Sequence, residues 1–453
     1  MQQTGCHSNV AGLAITAEKI ASETSITEHL SVLEIQQMKV KLAVEQLQIG
    51  HYVYLPLKWG QHPFLLNSFK IKSNEQLRII KNLGLQSLTI NALKSDVLEE
   101  FCESGTVEST PALPAEQLDQ QVMDELWAQK SESRQQLAAI EDRLHRSKEA
   151  FADTLKDLQA IFDEESLAKN PTISTSVSIV NNLYNSINKE GNSTIHLMND
   201  SVGYERLHYH SLNVSLLSVL IGQAKGFTAK QCQLVAFSAL YHDIGKLKLP
   251  TSLLLKSESL EDDEKLKLAS HLELSLKIAT RIPKFPEPAL KVIGQHHELN
   301  DGSGYPNQLT QNEINPISRV LILANRYDNL CNGASTKFSP HKALTYLYHE
   351  CRAQFDMKDV MALISVVGVY PPGTLVELSD QQIGVVISTN EEERLSPYVL
   401  VYDERVPRDE AAIINISEFG LSIKKVLDAK ELTLDQYHYL NPSSQSTYFI
   451  EVE

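Results

Sequence analysis

Hydrophobic and polar positions along the 453-residue chain change period several times, and each change marks a different kind of structure. From Lys39 a strand-like stretch, a turn-rich 54–63, an alternating 64–72, a helical 74–83 and an apolar 87–91 predict a small α+β domain over 38–100. Residues 1–37 hold small and polar residues without sustained period and read as a flexible extension. Ser109, Thr110, Pro111 and Pro114 break any regular element in 105–114, within a linker segment spanning 101–170. Later in that segment Leu137, Ile140, Leu144, Phe151, Leu155, Leu158 and Phe162 recur at spacings of three, four or seven, which predicts a long amphipathic helix. Two packings are open for it: against its own chain, or as the seam of a homodimer through the 118–165 helix.

Residues 171–365 are helical in period almost throughout, including 212–224, 229–241, 260–281 and 288–297, and predict an all-α domain with histidines at its helix ends. Beyond the Pro371-Pro372-Gly373 turn, β-branched residues alternate or cluster in 374–388, 397–402 and 411–416, predicting a short β-rich C-terminal tail over 366–453. The expected fold class is therefore multidomain: a small α+β N-terminal domain, a linker helix, an all-α helical bundle and the β-rich tail.

A net charge of −16 argues against a nucleic-acid polymer or an anionic membrane as partner, and leaves room only for a local basic pocket that takes a small anion. The longest apolar runs fall short of the roughly 20 residues of a spanning helix, and the start lacks a charged region followed by an apolar one. These features point to a cytoplasmic protein. Five scattered cysteines without a CxxC pair speak against a disulfide framework or a thiolate metal site.

The chemistry is concentrated in the all-α segment. His242-Asp243 closes an apolar helix and is followed by Ile244-Gly245-Lys246, while His210 lies upstream, and His271 and the adjacent pair His296-His297 lie downstream. Imidazole nitrogens and carboxylate oxygens in this mixture suit Fe, Mn or Zn and can bridge two ions. Spread over several helices of one bundle, they can converge in its interior.

His242-Asp243-Ile244-Gly245-Lys246, followed by His296-His297-Glu298-Leu299-Asn300-Asp301-Gly302-Ser303-Gly304-Tyr305-Pro306, resembles the HD-GYP subgroup of the HD phosphohydrolase superfamily. The segment 38–100, with Trp59, Pro63 and Phe64, resembles the small N-terminal domain of unknown function that precedes some HD-GYP domains. The resemblance implies an HD-type helical bundle over 171–365 that hydrolyses cyclic di-GMP to a linear product, pGpG and/or GMP, in bacterial second-messenger signalling. It implies two divalent ions, Fe or Mn, one held by His210, His242 and Asp243, the other by Asp243, His271, His296 and His297. Asp243 and Lys246 would serve catalysis. Lys246, Lys337, Gly304, Tyr305 and Pro306 would contact substrate, and GGDEF-type signalling proteins are implied partners.

Three departures from the family pattern bear on activity. Where members carry a metal-binding Asp in an Ala-Asp-x-Tyr-Asp-Ala-Leu segment, this chain has Asn325, an uncharged and poorer ligand, so the first metal is expected to be weakly held. Arg206 stands where three-metal members have Glu, which leaves two ions as the upper expectation. Ala334 replaces a nucleotide-contacting Arg, leaving Lys337. The alternative function is accordingly a catalytically impaired HD-GYP module that senses cyclic di-GMP or serves as a protein-interaction platform.

Overall fold

The computed structural model describes residues 39–92, 94–96, 120–163, 173–189, 196–197, 206–256, 259–333, 338–390, 393–408, 411–440 and 448–449. The expected extension at 1–37 and the Ser/Pro-rich linker at 105–114 lie outside them.

The N-terminal part is an antiparallel sheet of β1 (Lys39–Ala43), β2 (Tyr52–Tyr54), β3 (Ser68–Lys70) and β4 (Ser87–Asn91) in the order β1-β4-β2-β3. Helix α1 (Asn74–Asn82) starts where the Ser73 side chain accepts a hydrogen bond from the Gln76 N–H. It buries Leu77, Ile79 and Ile80 in a core with Leu42, Val53, Leu55, Leu88 and Ile90.

Helix α2 (Gln120–Phe162) has 43 residues, a length of about 64 Å at 1.5 Å per residue. Its first turns lay Val122, Met123 and Leu126 on the N-terminal core, and the buried Lys130 donates to the His62 carbonyl at 2.7 Å. Its last turns bury Phe151, Leu155, Leu158, Ile161 and Phe162 in the core of the helical domain. The side chains of Leu137, Ile140 and Leu144 fall outside the described residues. Where the seam can be followed, at Phe151, Leu155, Leu158 and Phe162, it packs on its own chain.

The helical domain comprises α3 (Ser174–Lys189), α4 (Arg206–Ala224), α5 (Ala229–Tyr241), α6 (Thr251–Leu254), α7 (Asp262–Ala269), α8 (His271–Ala279), α9 (Glu287–Gly294), α10 (Pro316–Asn332), α11 (Pro340–His349) and α12 (Met357–Val367). The two-residue strand β5 (His196–Leu197) also lies in this region. Helix α4 has no separate polar face, and everything from Ser211 to Gly222 is buried, Asn213 and three serines included. Helix α5 begins with a capping box, Thr228 and Gln231 satisfying each other's backbone N–H groups.

The expected helix over 260–281 is interrupted at Ser270 and becomes α7 and α8. The Ser270 hydroxyl donates to the Lys267 carbonyl at 2.7 Å, and the break frees the Leu268 carbonyl to receive the His271 ring at 2.6 Å. Two side chains competing for carbonyls of one turn end a helix that periodicity alone would continue.

The C-terminal strands β6 (Leu375–Leu378), β7 (Ile383–Ser388), β8 (Tyr398–Val401), β9 (Ile413–Asn415) and β10 (Ile423–Leu427) form an antiparallel sheet in the order β10-β6-β7-β8-β9. Val376, Leu378, Val386, Val399, Val401 and Ile414 pack with Leu66 of the N-terminal part. Leu375, Val385, Leu400, Ile413 and Leu427 point the other way and pack with Leu440 of helix α13 (Leu434–Leu440). Because both faces are covered, these strands read as clustered β-branched residues with little alternation. Polar bonds reinforce the first contact: Gln382 donates to the Tyr52 hydroxyl at 2.8 Å and to the Ser68 carbonyl at 2.9 Å, and Arg405 to the Leu55 carbonyl at 3.1 Å. A last strand, β11 (Tyr448–Phe449), pairs with β5.

Protonation of His62 should weaken the junction between the N-terminal core and α2. His62 is fully buried, its ring donating to Asn67 at 2.8 Å, and burial together with the nearby Lys130 ammonium pushes its pKa down to about 4. A folded pKa below the unfolded value of 6.5 leaves stability intact above pH 6.5 and removes it as pH falls toward 4, by about 3 kcal/mol in all. Urea unfolding followed from pH 7.5 to 4.5 should show this loss in the parent and a flatter profile in His62→Asn.

Candidate metal centre

Four of the histidines owe their positions to helix ends. His242 follows the last residue of α5, His271 is the first residue of α8, and His296-His297 lie just past α9. Helix ends leave backbone carbonyls without intrahelical partners, and the rings take them: His242 Nδ1 meets Ala239 O at 2.7 Å, His271 Nδ1 meets Leu268 O at 2.6 Å, and His296 Nδ1 meets Ile293 O at 2.6 Å. Each Nδ1 is therefore the protonated nitrogen, and each Nε2 presents a lone pair to the interior.

These lone pairs converge on Asp243. Its Oδ2 lies 3.3 Å from His210 Nε2 and 3.4 Å from His242 Nε2, and its Oδ1 lies 3.1 Å from His271 Nε2 and 3.7 Å from His296 Nε2. The donor atoms of Asp243, His271, His296 and His297 form one group that could hold a metal ion, and those of His210, His242 and Asp243 another, with no two atoms of a group more than 4.8 Å apart. The carboxylate belongs to both.

The donor chemistry fits metal ions. His271 Nε2 and His296 Nε2 face each other at 3.2 Å, and with both Nδ1 atoms protonated neither can donate. Two lone pairs at that separation repel unless a cation lies against them. Asp243 Oδ1 is buried and takes no hydrogen bond, although two imidazoles stand beside it. Burial pushes the Asp243 carboxyl up, but the Lys246 ammonium and the bond from His210 outweigh it and hold the group well below the usual carboxylate range. Burial likewise keeps His242, His296 and His297 below the ordinary imidazole pKa, in the neutral form that a metal requires. His210 differs: burial lowers it, but bonds to Asp243 and Asp328 prevail and raise it to about 9.

The remaining expected site residues are placed unequally. Lys246 lies on a 3-10 turn, Ile244–Lys248, not on a continuing α-helix, and its ammonium pairs directly with Asp243 Oδ2. That turn sits against the start of α8 so closely that a Cβ on Gly245 would lie 2.1 Å from the His271 carbonyl oxygen. Asn325 is buried on α10, its amide oxygen accepting from Asn329 at 2.6 Å. Arg206 directs its guanidinium to the Asn332 carbonyl at the end of α10. Ala334 and Lys337 lie outside the described residues.

The loop 302–306 folds back on the histidine pair. The Tyr305 ring stacks on His297 at 4.6 Å with 16° between planes, and the Tyr305 N–H donates to the His297 carbonyl at 3.1 Å. Gly302 supplies a φ of 76°, as a glycine-rich turn suggests. Gly304 acts differently, being buried where a Cβ would meet Leu299 N at 2.4 Å and His297 O at 2.5 Å.

Two carboxylates were missed by reading the sequence. Glu298 is fully buried and accepts the N–H groups of Asn307 at 2.7 Å and Leu309 at 2.8 Å, anchoring the far end of that loop. Asp328 receives His210 Nδ1 at 2.6 Å. The available signal was local: an acid directly after a histidine pair, and an acid three residues after Asn325 on one helix face.

The HD domain family matches residues 193–358, which contain every histidine of the centre, and a domain of unknown function, DUF3391, matches residues 39–175. The chain is similar to a protein named as a cyclic di-GMP phosphodiesterase in Pseudomonas aeruginosa, 23% identical over 81% of this chain and 85% of the relative. A cyclic di-GMP phosphodiesterase of Borreliella burgdorferi is 25% identical, over 51% of this chain and 62% of its own length. Among solved structures, an HDGYP protein from Bdellovibrio bacteriovorus aligns over 72% of this chain and 98% of its own, with 18% identity and a TM-score of 0.39.

Removing the Glu298 carboxylate orphans two backbone N–H groups of the loop, each worth about 1–3 kcal/mol where water cannot replace the bond. Glu298→Ala should therefore lower unfolding stability by about 2–6 kcal/mol, read as a shift in the urea midpoint.

Proposed function

We propose that this chain is a metal-dependent phosphodiesterase that hydrolyses cyclic di-GMP to a linear product, pGpG and/or GMP, in bacterial second-messenger signalling. The observation that supports it best is the single buried carboxylate, Asp243, shared between two groups of imidazole lone pairs. Two divalent ions, Fe or Mn, fit these groups: one on His210, His242 and Asp243 with Asn325 as a weak further ligand, the other on Asp243, His271, His296 and His297. Held by these residues, two such ions would lower the pKa of a water, so that it could lose its proton and act as the nucleophile toward phosphorus, and would offset negative charge on the leaving oxygen.

The chain's own residues then have distinct tasks. Asp243 fixes the spacing of the two groups through its two oxygens. Lys246, whose side chain is 20% exposed, stands at the edge of the centre and can turn its ammonium from Asp243 to a phosphate oxygen of the substrate. Gly304, Tyr305 and Pro306 wall the His297 side against the nucleotide, and Lys337 adds a second cation.

We divide the chain into an extension (1–37), the N-terminal domain (38–100), a linker with its helix (101–170), the HD-GYP domain (171–365) and the C-terminal β-rich part (366–453). No helix among the described residues is long and apolar enough to cross a membrane. We assign the protein to the cytoplasm because its proposed substrate is a second messenger. GGDEF-type proteins and a second copy bound through the 118–165 helix are its proposed partners. Asn325 supports a second reading, an impaired module that binds cyclic di-GMP without turning it over.

Turnover assays with Mn(II) or Fe(II) supplied separate the two. We expect linear product from the parent, none from Asp243→Ala, and a rate or metal content raised in Asn325→Asp. Tight binding of cyclic di-GMP with no product under either metal would establish the second reading. Lys246→Ala should keep its metal and bind cyclic di-GMP roughly 10- to 150-fold more weakly, the value of one charge-assisted contact. Unchanged affinity would place Lys246 outside the phosphate site.

A further inference from the structure

His242, His271 and His296 are each oriented by a carbonyl three residues earlier, at a helix end. His210 has no such carbonyl. It lies inside α4 (Arg206–Ala224), where the backbone carbonyls are engaged by the helix itself, so an acceptor for its Nδ1 must come from another element. That acceptor is Asp328 on α10, 1% exposed, with Oδ2 at 2.6 Å from the ring.

Asp328 is itself held firmly. Its Oδ1 accepts from Asn213 Nδ2 at 3.1 Å and from Asn332 Nδ2 at 2.9 Å. Asn213 lies three residues beyond His210 on the same helix, so the carboxylate bridges one face of α4 and fixes both its own rotamer and the plane of the imidazole. It also stands one turn of α10 away from Asn325, where a charged ligand is missing.

We infer that Asp328 is the positioning residue of the His210 and His242 site: it holds the Nδ1 proton, aims Nε2 at a divalent ion, and lends that ion a negative charge through the ring in place of the one Asn325 cannot give. The inference rests on the two-metal reading of the centre and concerns the weaker site alone. A carboxylate behind a ligating imidazole raises ligand basicity and fixes the tautomer, and its loss costs on the order of 10- to 100-fold in metal affinity.

The test is calorimetric titration of the metal-free full-length protein with Mn(II) alone, paired with its electron paramagnetic resonance spectrum. The parent should show two binding steps and a spin-coupled pair at saturation. Asp328→Asn should weaken only the weaker step, on the order of 10- to 100-fold, and give the spectrum of an isolated Mn(II) at intermediate concentration. Asn332→Ala, which removes one anchor of Asp328 at the end of α10, should weaken the same step by less. Two unchanged steps in a folded Asp328→Asn, or equal weakening of both, would overturn the inference. Should Asp328→Asn fail to fold, Asn332→Ala decides the matter, and an unaltered weaker step refutes it. A parent that takes up no Mn(II) overturns the two-metal reading and this inference together.

Discussion

A charged carboxylate in a protein interior is costly unless opposite charge and directed bonds surround it. Asp243 is such a group, fully buried, and the architecture of the helical domain can be understood as the means of surrounding it. Helices α5, α7 and α9 contribute their C-terminal ends, so that open carbonyls set the tautomers of His242, His271 and His296. Helices α4 and α10 pack into the core and bring His210 and Asp328 to the same group. Close backbone approach at Gly245 and Gly304 brings the Lys246 turn and the Tyr305 loop against the same group.

The rest of the chain is built onto this centre through α2. One end of that helix lies on the N-terminal core and the other beside the metal-site helices, where Phe151 meets Tyr209 at 4.9 Å and Phe162 meets Tyr241 at 5.6 Å between ring centroids. Tyr209 and Tyr241 immediately precede His210 and His242 in the chain. The C-terminal sheet closes on the N-terminal domain through Leu66 and Gln382, so segments far apart in sequence share one packed unit.

Much of this was legible in the sequence. Alternation and turn chemistry outlined β1 to β4 and α1, three- and four-residue spacing outlined α2 and α5, and the histidine and aspartate pattern located all six groups that converge. What escaped had physical causes. The break at Ser270 depends on side chains competing for carbonyls, which periodicity does not register. The short turn after Asp243 put Lys246 onto the carboxylate instead of along a helix face. Asp328 and Glu298 act through partners more than eight residues away, one on another helix and one at the far end of a loop, and only tertiary structure shows such partners. The β-rich C-terminal part was expected, but its packing on Leu66 across one face and on α13 across the other joins residues far apart in sequence, which no local pattern registers.

Asp243 is proposed as the ligand that two ions share. Anomalous scattering at the manganese edge from crystals grown with Mn(II) tests this most directly. It should show two peaks flanking the Asp243 carboxylate, the stronger on the side of His271, His296 and His297, where the ligand set is complete. Occupancy confined to the His210 and His242 side, or no peak within bonding distance of Asp243, would contradict the account.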